Sequence, residues 1–167
     1  MTVANVHASC VMLGRAGDAF GAPQEAGILI LGASGSGKSD LALTLIERGA
    51  ILVADDRVEL FQRDGGLWGR PPANLAGLLE VRGVGIVSLA YRPETAIALA
   101  ISLGAPNLKP RLPESESYAP PQVLELPASA WPPLLKLTAY EGSTPAKVAV
   151  AAAGFAHALF RDGAVAR

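Results

Sequence analysis

The segment GASGSGKS, which runs from Gly32 to Ser39, constrains this chain more than any other part of its sequence. It has the pattern Gly-x4-Gly-Lys-Ser and directly follows the apolar run GILIL at 27–31. Glycines let a loop curl so that its N–H groups point inward, and a helix beginning there adds partial positive charge. The alternative is a glycine-rich turn with an exposed lysine, but the position between a strand and a helix favours a phosphate-binding loop (P-loop).

We therefore predict that this loop binds a nucleoside triphosphate and Mg²⁺. In such a loop the lysine reaches the outer phosphates and the serine hydroxyl ligates Mg²⁺. The chain has no Asn-Lys-x-Asp motif for reading guanine, which argues against a GTPase-type switch. The predicted nucleotide-binding residues are Gly32, Ala33, Ser34, Gly35, Ser36, Gly37, Lys38 and Ser39.

The neighbouring sequence predicts an α/β fold. Leu41, Leu45 and Ile46 form an apolar stripe at helical spacing, so we expect a helix over 38–48 that Gly49 ends. Apolar runs predict buried strands at 6–13, 27–31 and 51–54. The last two strands and the helix between them make a βαβ unit with a right-handed crossover.

Farther along the chain the pattern changes to hairpins. Strands are predicted at 58–62 and 67–69 around an Asp-Gly-Gly turn, and again at 84–90 and 96–103. The proline-rich stretch 104–121 predicts an exposed loop. Thr144 reads as an N-cap before Pro145, which opens a final helix that extends to about residue 160.

Composition limits the class of protein. The chain has 167 residues, which fits a single domain over 1–167. A net charge of -1 gives no reason to expect a nucleic-acid partner. No apolar run approaches the roughly 18 residues of a membrane span. With Cys10 as its one cysteine, and no signal-peptide pattern at its start, we expect a cytoplasmic protein.

Two acidic residues, Asp55 and Asp56, directly follow the strand predicted at 51–54. Ligands of open α/β sheets bind at the carboxyl ends of the strands, so these acids are expected beside the P-loop. One acid can belong to the magnesium shell, and the other can accept the proton of a hydroxyl nucleophile. The alternative is that both cap a turn before Arg57.

Three other residues are candidates with plain structural alternatives. His7 lies in an apolar strand, where a histidine is more often a core residue than a catalytic one. Glu80 can be a surface carboxylate. Arg111 can clamp a phosphoryl group or can be a solvated side chain.

Three segments together resemble the catalytic domain of the HPr kinase/phosphorylase family. They are GILILGASGSGKSDLALTLIERGAILVADDRVEL at 27–60, the signature-like stretch LLEVRGVGIV at 78–87, and VHASCV at 6–11. The resemblance implies a fold of the HPr kinase and phosphoenolpyruvate carboxykinase type, with a mixed sheet, a P-loop helix and a C-terminal helix. It also implies ATP- and Mg²⁺-dependent phosphorylation of a serine on the phosphocarrier protein HPr, and the reverse reaction with inorganic phosphate.

The resemblance also implies roles for individual residues. Asp55 matches the acid that removes the seryl proton, while Ser39 and Glu80 match magnesium ligands, and Asp56 is left as a further ligand. Lys38 matches the P-loop lysine, His7 the active-site histidine and Arg111 the catalytic arginine.

Departures from the family pattern qualify these expectations. The P-loop begins at residue 32, so we expect a short form that lacks the family's N-terminal domain. Where the family has a basic loop associated with phosphorolysis, residues 140–145 read YEGSTP without an arginine, so the kinase reaction is expected more than its reversal. Family members assemble into hexamers, which makes a homo-oligomer an open expectation here.

Two rival functions remain open from the sequence. One is a small-molecule kinase, although the hairpins after the βαβ unit argue against it. The other is an ATP-sensing regulatory module that binds a partner without transferring phosphate.

Overall fold

The structure is a computed structural model that describes residues 1–105 and 111–162. Within these ranges the chain forms ten β-strands and two α-helices. Their bounds are β1 Val3–His7, β2 Ser9–Met12, β3 Gly27–Leu31, α1 Lys38–Glu47, β4 Ile51–Ala54, β5 Arg57–Arg63, β6 Gly66–Arg70, β7 Leu78–Val81, β8 Gly85–Ser88, β9 Thr95–Leu103, β10 Leu134–Leu137 and α2 Thr144–His157.

Eight strands form one mixed sheet, in the order β1-β5-β6-β9-β3-β2-β4, with β10 paired to β9. The pairs β3–β9 and β9–β10 are parallel, whereas the other pairs in this sheet are antiparallel. The strands β7 and β8 form a separate antiparallel hairpin. A mixed sheet with a P-loop helix and a C-terminal helix confirms the predicted fold class.

Strand β3 is apolar throughout because both of its faces are covered. Ile28 and Ile30 belong to a core cluster shared with α1 and α2, through residues such as Leu45 and Val148. Leu29 belongs to a second cluster on the opposite face, together with Leu60 and other residues. A continuous apolar strand is what burial on both faces requires, as the sequence indicated.

The βαβ unit differs from the prediction in one respect. Strand β2 pairs antiparallel with both β3 and β4, so those two strands run parallel to each other without being neighbours. Their carboxyl ends therefore lie at the same edge of the sheet, one on each side of β2. This arrangement brings the loop after β3 and the Asp55–Asp56 turn after β4 toward a common site.

Two predictions about the ends of elements are wrong. The single strand predicted at 6–13 is two strands, because Ala8 interrupts the ladder and donates its N–H to the carbonyl oxygen of Asp56. The N-cap of α2 is Ser143, since Thr144 already lies in the helix and donates its buried hydroxyl to the carbonyl oxygen of Thr138. The loop predicted at 104–121 lies partly outside the described residues, at 106–110.

Candidate active site

The loop of residues 32–39 joins the carboxyl end of β3 to the first turn of α1. Gly32, Gly35 and Gly37 all have positive φ angles, of 154°, 81° and 97°, which explains the need for glycine there. The Gly37 backbone packs so closely that an added Cβ would lie 2.5 Å from the Cβ of Ala139. The loop is therefore shaped by its glycines and by the chain after β10.

Lys38 is buried in this loop, and its ammonium group turns back onto the loop backbone. Its Nζ donates to the carbonyl oxygens of Gly32 and Ala33, at 2.9 and 3.0 Å. Burial lowers the pKa of Lys38, and the negative charges of Asp55 and Asp56 partly oppose that effect. Among the described residues the buried Ser36 hydroxyl has no hydrogen-bond partner, so the loop retains an unused polar atom that suits a phosphate ligand.

Residues from three elements donate hydrogen bonds to Asp55. Its Oδ1 accepts hydrogen bonds from the hydroxyl of Ser9 at 2.7 Å and from the hydroxyl of Ser39 at 2.8 Å. Its Oδ2 accepts a hydrogen bond from the backbone N–H of Glu80 at 3.2 Å. The residue is 4% exposed, so this carboxylate is held by β2, α1 and β7 away from bulk water.

Asp56 has a different environment from its neighbour. Its φ of 65° turns the backbone sharply, and its side chain is 64% exposed. The Nε2 atom of His7 lies 3.8 Å from Asp56 Oδ1, a distance suited to an ion pair when the imidazole is protonated. The two adjacent acids are thus divided into one buried carboxylate and one that faces the open site.

The β7–β8 hairpin forms another wall of the site. Leu79 is fully buried, which anchors the hairpin, whereas the side chains of Glu80 and Arg82 are exposed and line the cavity. Tyr140, in the chain between β10 and α2, donates its hydroxyl to the carbonyl oxygen of Gly35 at 3.0 Å. The cavity between these walls has a volume of about 250 Å³.

Most of the predicted site residues meet in this cavity. Its lining includes His7, Ser34, Gly35, Gly37, Lys38, Ser39, Asp56 and Glu80. Asp55 lies behind that lining, hydrogen bonded to Ser39. Gly32, Ala33 and Ser36 belong to the same loop without lining the cavity. Arg111 is exposed in a bend and does not line the cavity either.

Four lining residues were missed in the sequence: Ser9, Asp40, Arg82 and Tyr140. The first of them carried a usable signal. Alternate residues of an extended chain lie on the same side, so a functional His7 implies that Ser9 faces the same site. Arg82 lies in the turn after β7, two residues beyond Glu80, and had no such signal. Tyr140 had no signal, because its contact with Gly35 spans 105 residues of sequence.

The oxygen atoms around Asp55 and Ser39 fit Mg²⁺. The described residues contain no group of three or more His, Cys, Asp or Glu side chains arranged for a metal ion. Mg²⁺ does not require such a group, since it is usually bound by one or two carboxylates together with substrate phosphates and water. A serine hydroxyl 2.8 Å from a buried carboxylate, at the N-terminus of a helix, supplies suitable hard oxygen donors.

None of the helices in the described part of the chain is both long enough and apolar enough to span a membrane.

The fold and the site together define a class of protein, an α/β domain with a mixed sheet and a glycine-rich loop at the N-terminus of a helix. Residues 21–109 match the family described as HPr Serine kinase C-terminal domain. Because this match covers more than half of the chain, the chain belongs to that family.

Individual relatives agree with the family match. The chain is 48% identical over 85 residues to the HPr kinase/phosphorylase of Streptococcus thermophilus, which covers 46% of this chain and 28% of that protein. The same identity and coverage are found with the HPr kinase/phosphorylase of Lactococcus lactis subsp. lactis. The chain thus spans just over a quarter of the length of these curated relatives.

A solved structure covers more of the chain. The structure of the Hpr(Ser) kinase/phosphatase from Coxiella burnetii matches with a TM-score of 0.68 and 25% sequence identity. The match covers 87% of this chain and 86% of that chain, so it extends beyond residue 109 to most of the fold described above.

Proposed function

We propose that residues 1–167 act as one cytoplasmic catalytic domain that transfers the γ-phosphoryl group of ATP, with Mg²⁺, to a serine hydroxyl of an HPr-type phosphocarrier protein. The observation that carries this proposal is the different environment of the two adjacent acids beside the P-loop. Asp55 is buried and bonded to the P-loop serine, whereas Asp56 faces the cavity beside His7. The family match and the named relatives support a kinase.

The loop residues are suited to the phosphate chain. Lys38 Nζ lies within the loop, hydrogen bonded to two of its carbonyl oxygens, and we propose that it binds the outer phosphates of ATP. Backbone N–H groups of residues 32–39, at the N-terminus of α1, surround the remaining phosphates. Arg82 lines the same cavity, and we propose that it supplies the second cation for the transferred group in place of Arg111.

We assign the magnesium site to Ser39 and Glu80, which line the cavity, with Asp55 behind them as the carboxylate that holds the Ser39 hydroxyl. When bound there, Mg²⁺ neutralises charge on the β- and γ-phosphates. Asp55 is given this role because of its hydrogen bond to the Ser39 hydroxyl, the group that ligates Mg²⁺ in P-loops. Ser39 presents its remaining lone pairs to the cavity, and Glu80 lines the same cavity from the β7–β8 hairpin.

The proton acceptor is then Asp56, whereas the resemblance to the family implied Asp55. A general base must reach the hydroxyl that it deprotonates, and Asp56 lines the cavity whereas Asp55 does not. The acceptor serine gives its proton to the Asp56 carboxylate while its oxygen bonds to the γ-phosphorus, and ADP leaves. His7 holds the Asp56 carboxylate in place.

Matched aspartate variants test this assignment. Asp56→Asn should bind ATP with Mg²⁺ within a few-fold of the wild type but lose carrier phosphorylation by about 10²–10⁴-fold, the usual contribution of a general base. Asp55→Asn should instead weaken the magnesium-dependent part of ATP binding. The opposite pattern would return the base role to Asp55.

The acceptor is tested by ADP release. We expect ADP formation that depends on an HPr-type carrier and that is lost when the acceptor serine of the carrier is replaced by alanine. ADP formation with free metabolites but without the carrier would favour a small-molecule kinase. ATP binding without turnover, whatever carrier is supplied, would favour a nucleotide sensor.

A further inference from the structure

Ser9 has a buried hydroxyl that the proposed reaction does not yet use. It is 0% exposed, and its Oγ lies 2.7 Å from Asp55 Oδ1. Its strand, β2, lies between β3, which leads into the P-loop, and β4, which leads into Asp55. The pairing of Cys10 with Ala54 places Ser9 beside the start of the acidic turn.

The hydrogen bonds around Asp55 are distributed unevenly between its two oxygens. An ionised carboxylate only accepts hydrogen bonds and offers about two lone pairs on each oxygen. Ser9 and Ser39 both donate to Oδ1, which fills it, whereas Oδ2 accepts the N–H of Glu80 as its one hydrogen bond within the described residues. The rotation of the carboxylate is therefore fixed by contacts on both of its sides.

This orientation has a consequence for Ser39. A serine hydroxyl has one proton and two lone pairs, and the Ser39 proton points to Asp55 Oδ1. The lone pairs of Ser39 are then free to face the cavity that this residue lines. If the Asp55 carboxylate rotated, Ser39 would lose the acceptor that keeps its oxygen turned toward a cation.

We propose that Ser9 is a positioning residue for the magnesium–nucleotide complex, acting through the Asp55 carboxylate on the Ser39 hydroxyl. The inference rests on the proposed function, since it names a residue that prepares the same site. The fully buried Ser9 hydroxyl acts through Asp55, the carboxylate to which it is hydrogen bonded. A purely structural Ser9 would affect the stability of the fold without distinguishing ATP bound with Mg²⁺ from ATP bound without it.

The test compares ATP affinity in Mg²⁺ with ATP affinity in EDTA, measured by calorimetry on the full chain. The quantity of interest is the ratio of the two Kd values, EDTA over Mg²⁺. Ser9→Ala should lower this ratio about tenfold, equivalent to about 1.4 kcal/mol. Ser9→Cys, a nearly isosteric change to a weak donor, should lower the ratio as well. Ser9→Thr should keep the ratio of the wild type, because the hydroxyl is retained.

Thr95→Val is the matched control, because Thr95 is a buried hydroxyl whose contacts are backbone carbonyl oxygens rather than Asp55. It should leave the ratio unchanged. A ratio in Ser9→Ala and Ser9→Cys equal to that of the wild type would overturn the role of Ser9 while leaving the proposed function intact. A wild-type chain that binds no ATP in either condition would overturn both.

Discussion

Replacing Gly37 with alanine should destabilise the chain more than the same change at Gly35, because only Gly37 is closely packed. Both glycines have positive φ angles, which cost an alanine about 1–2 kcal/mol. An added Cβ at Gly35 meets nothing within 4 Å, whereas at Gly37 it would lie 2.5 Å from the Cβ of Ala139. Crowding of that kind adds about 1–3 kcal/mol. We therefore expect losses of about 1–2 kcal/mol for Gly35→Ala and about 2–5 kcal/mol for Gly37→Ala.

Urea unfolding measures these free energies through the midpoint and the slope m of each variant. Adding Ala139→Gly to Gly37→Ala removes the opposing methyl group, so the double-mutant cycle should return a coupling of about 1–3 kcal/mol. Equal losses at Gly35 and Gly37, without recovery in the double variant, would refute the packing of the P-loop against the chain after β10. That result would also contradict the hydrogen bond between the Tyr140 hydroxyl and the carbonyl oxygen of Gly35.

Three further predictions concern buried groups. Burial raises the pKa of the Cys10 thiol, so a disulfide reagent should label it only as fast as the chain opens, and rapid labelling in native buffer would contradict this. Burial lowers the pKa of Lys38 below 10.5 in the folded chain, so the unfolded chain binds this proton more tightly. The contribution of Lys38 to the free energy of unfolding therefore rises as the pH increases from the lowered pKa to 10.5. When urea unfolding is measured at a series of pH values, the free energy of unfolding of Lys38→Met should not show this rise. The same pH dependence in the variant as in the wild type would contradict the prediction. Leu29→Ala should cost about 2–5 kcal/mol in urea unfolding, against about 0.5 kcal/mol or less for the exposed Leu112→Ala, and similar losses would count against the described core.

The fold class followed from local patterns in the sequence. The glycine-rich segment between a buried strand and a helix indicated the P-loop, and an Asp-Gly-Gly turn indicated the β5–β6 hairpin. Strand order did not follow, because pairing depends on contacts between distant segments. The insertion of β2 between β3 and β4 has no local signature, and the short strand β10 was missed in a region rich in proline.

The site was predictable where its residues lie close to strand ends. The positions of Lys38, Ser39 and the two acids beside one cavity could be predicted from their neighbours in sequence. The division of the acids into one buried and one exposed carboxylate could not, because it involves contacts with a distant segment: Ser9 is hydrogen bonded to Asp55, and His7 lies near Asp56. The role of Arg111 was implied by the family resemblance, and this residue does not line the cavity.

The most direct test of the proposed kinase activity is the intact mass of a purified HPr-type carrier after incubation with this chain, ATP and Mg²⁺. Lys38→Ala, which removes the buried P-loop ammonium group, serves as the control. We expect the carrier to gain one phosphoryl group with the wild-type chain and none with the variant. An unchanged carrier mass with a wild-type chain that binds ATP would contradict the proposed kinase activity.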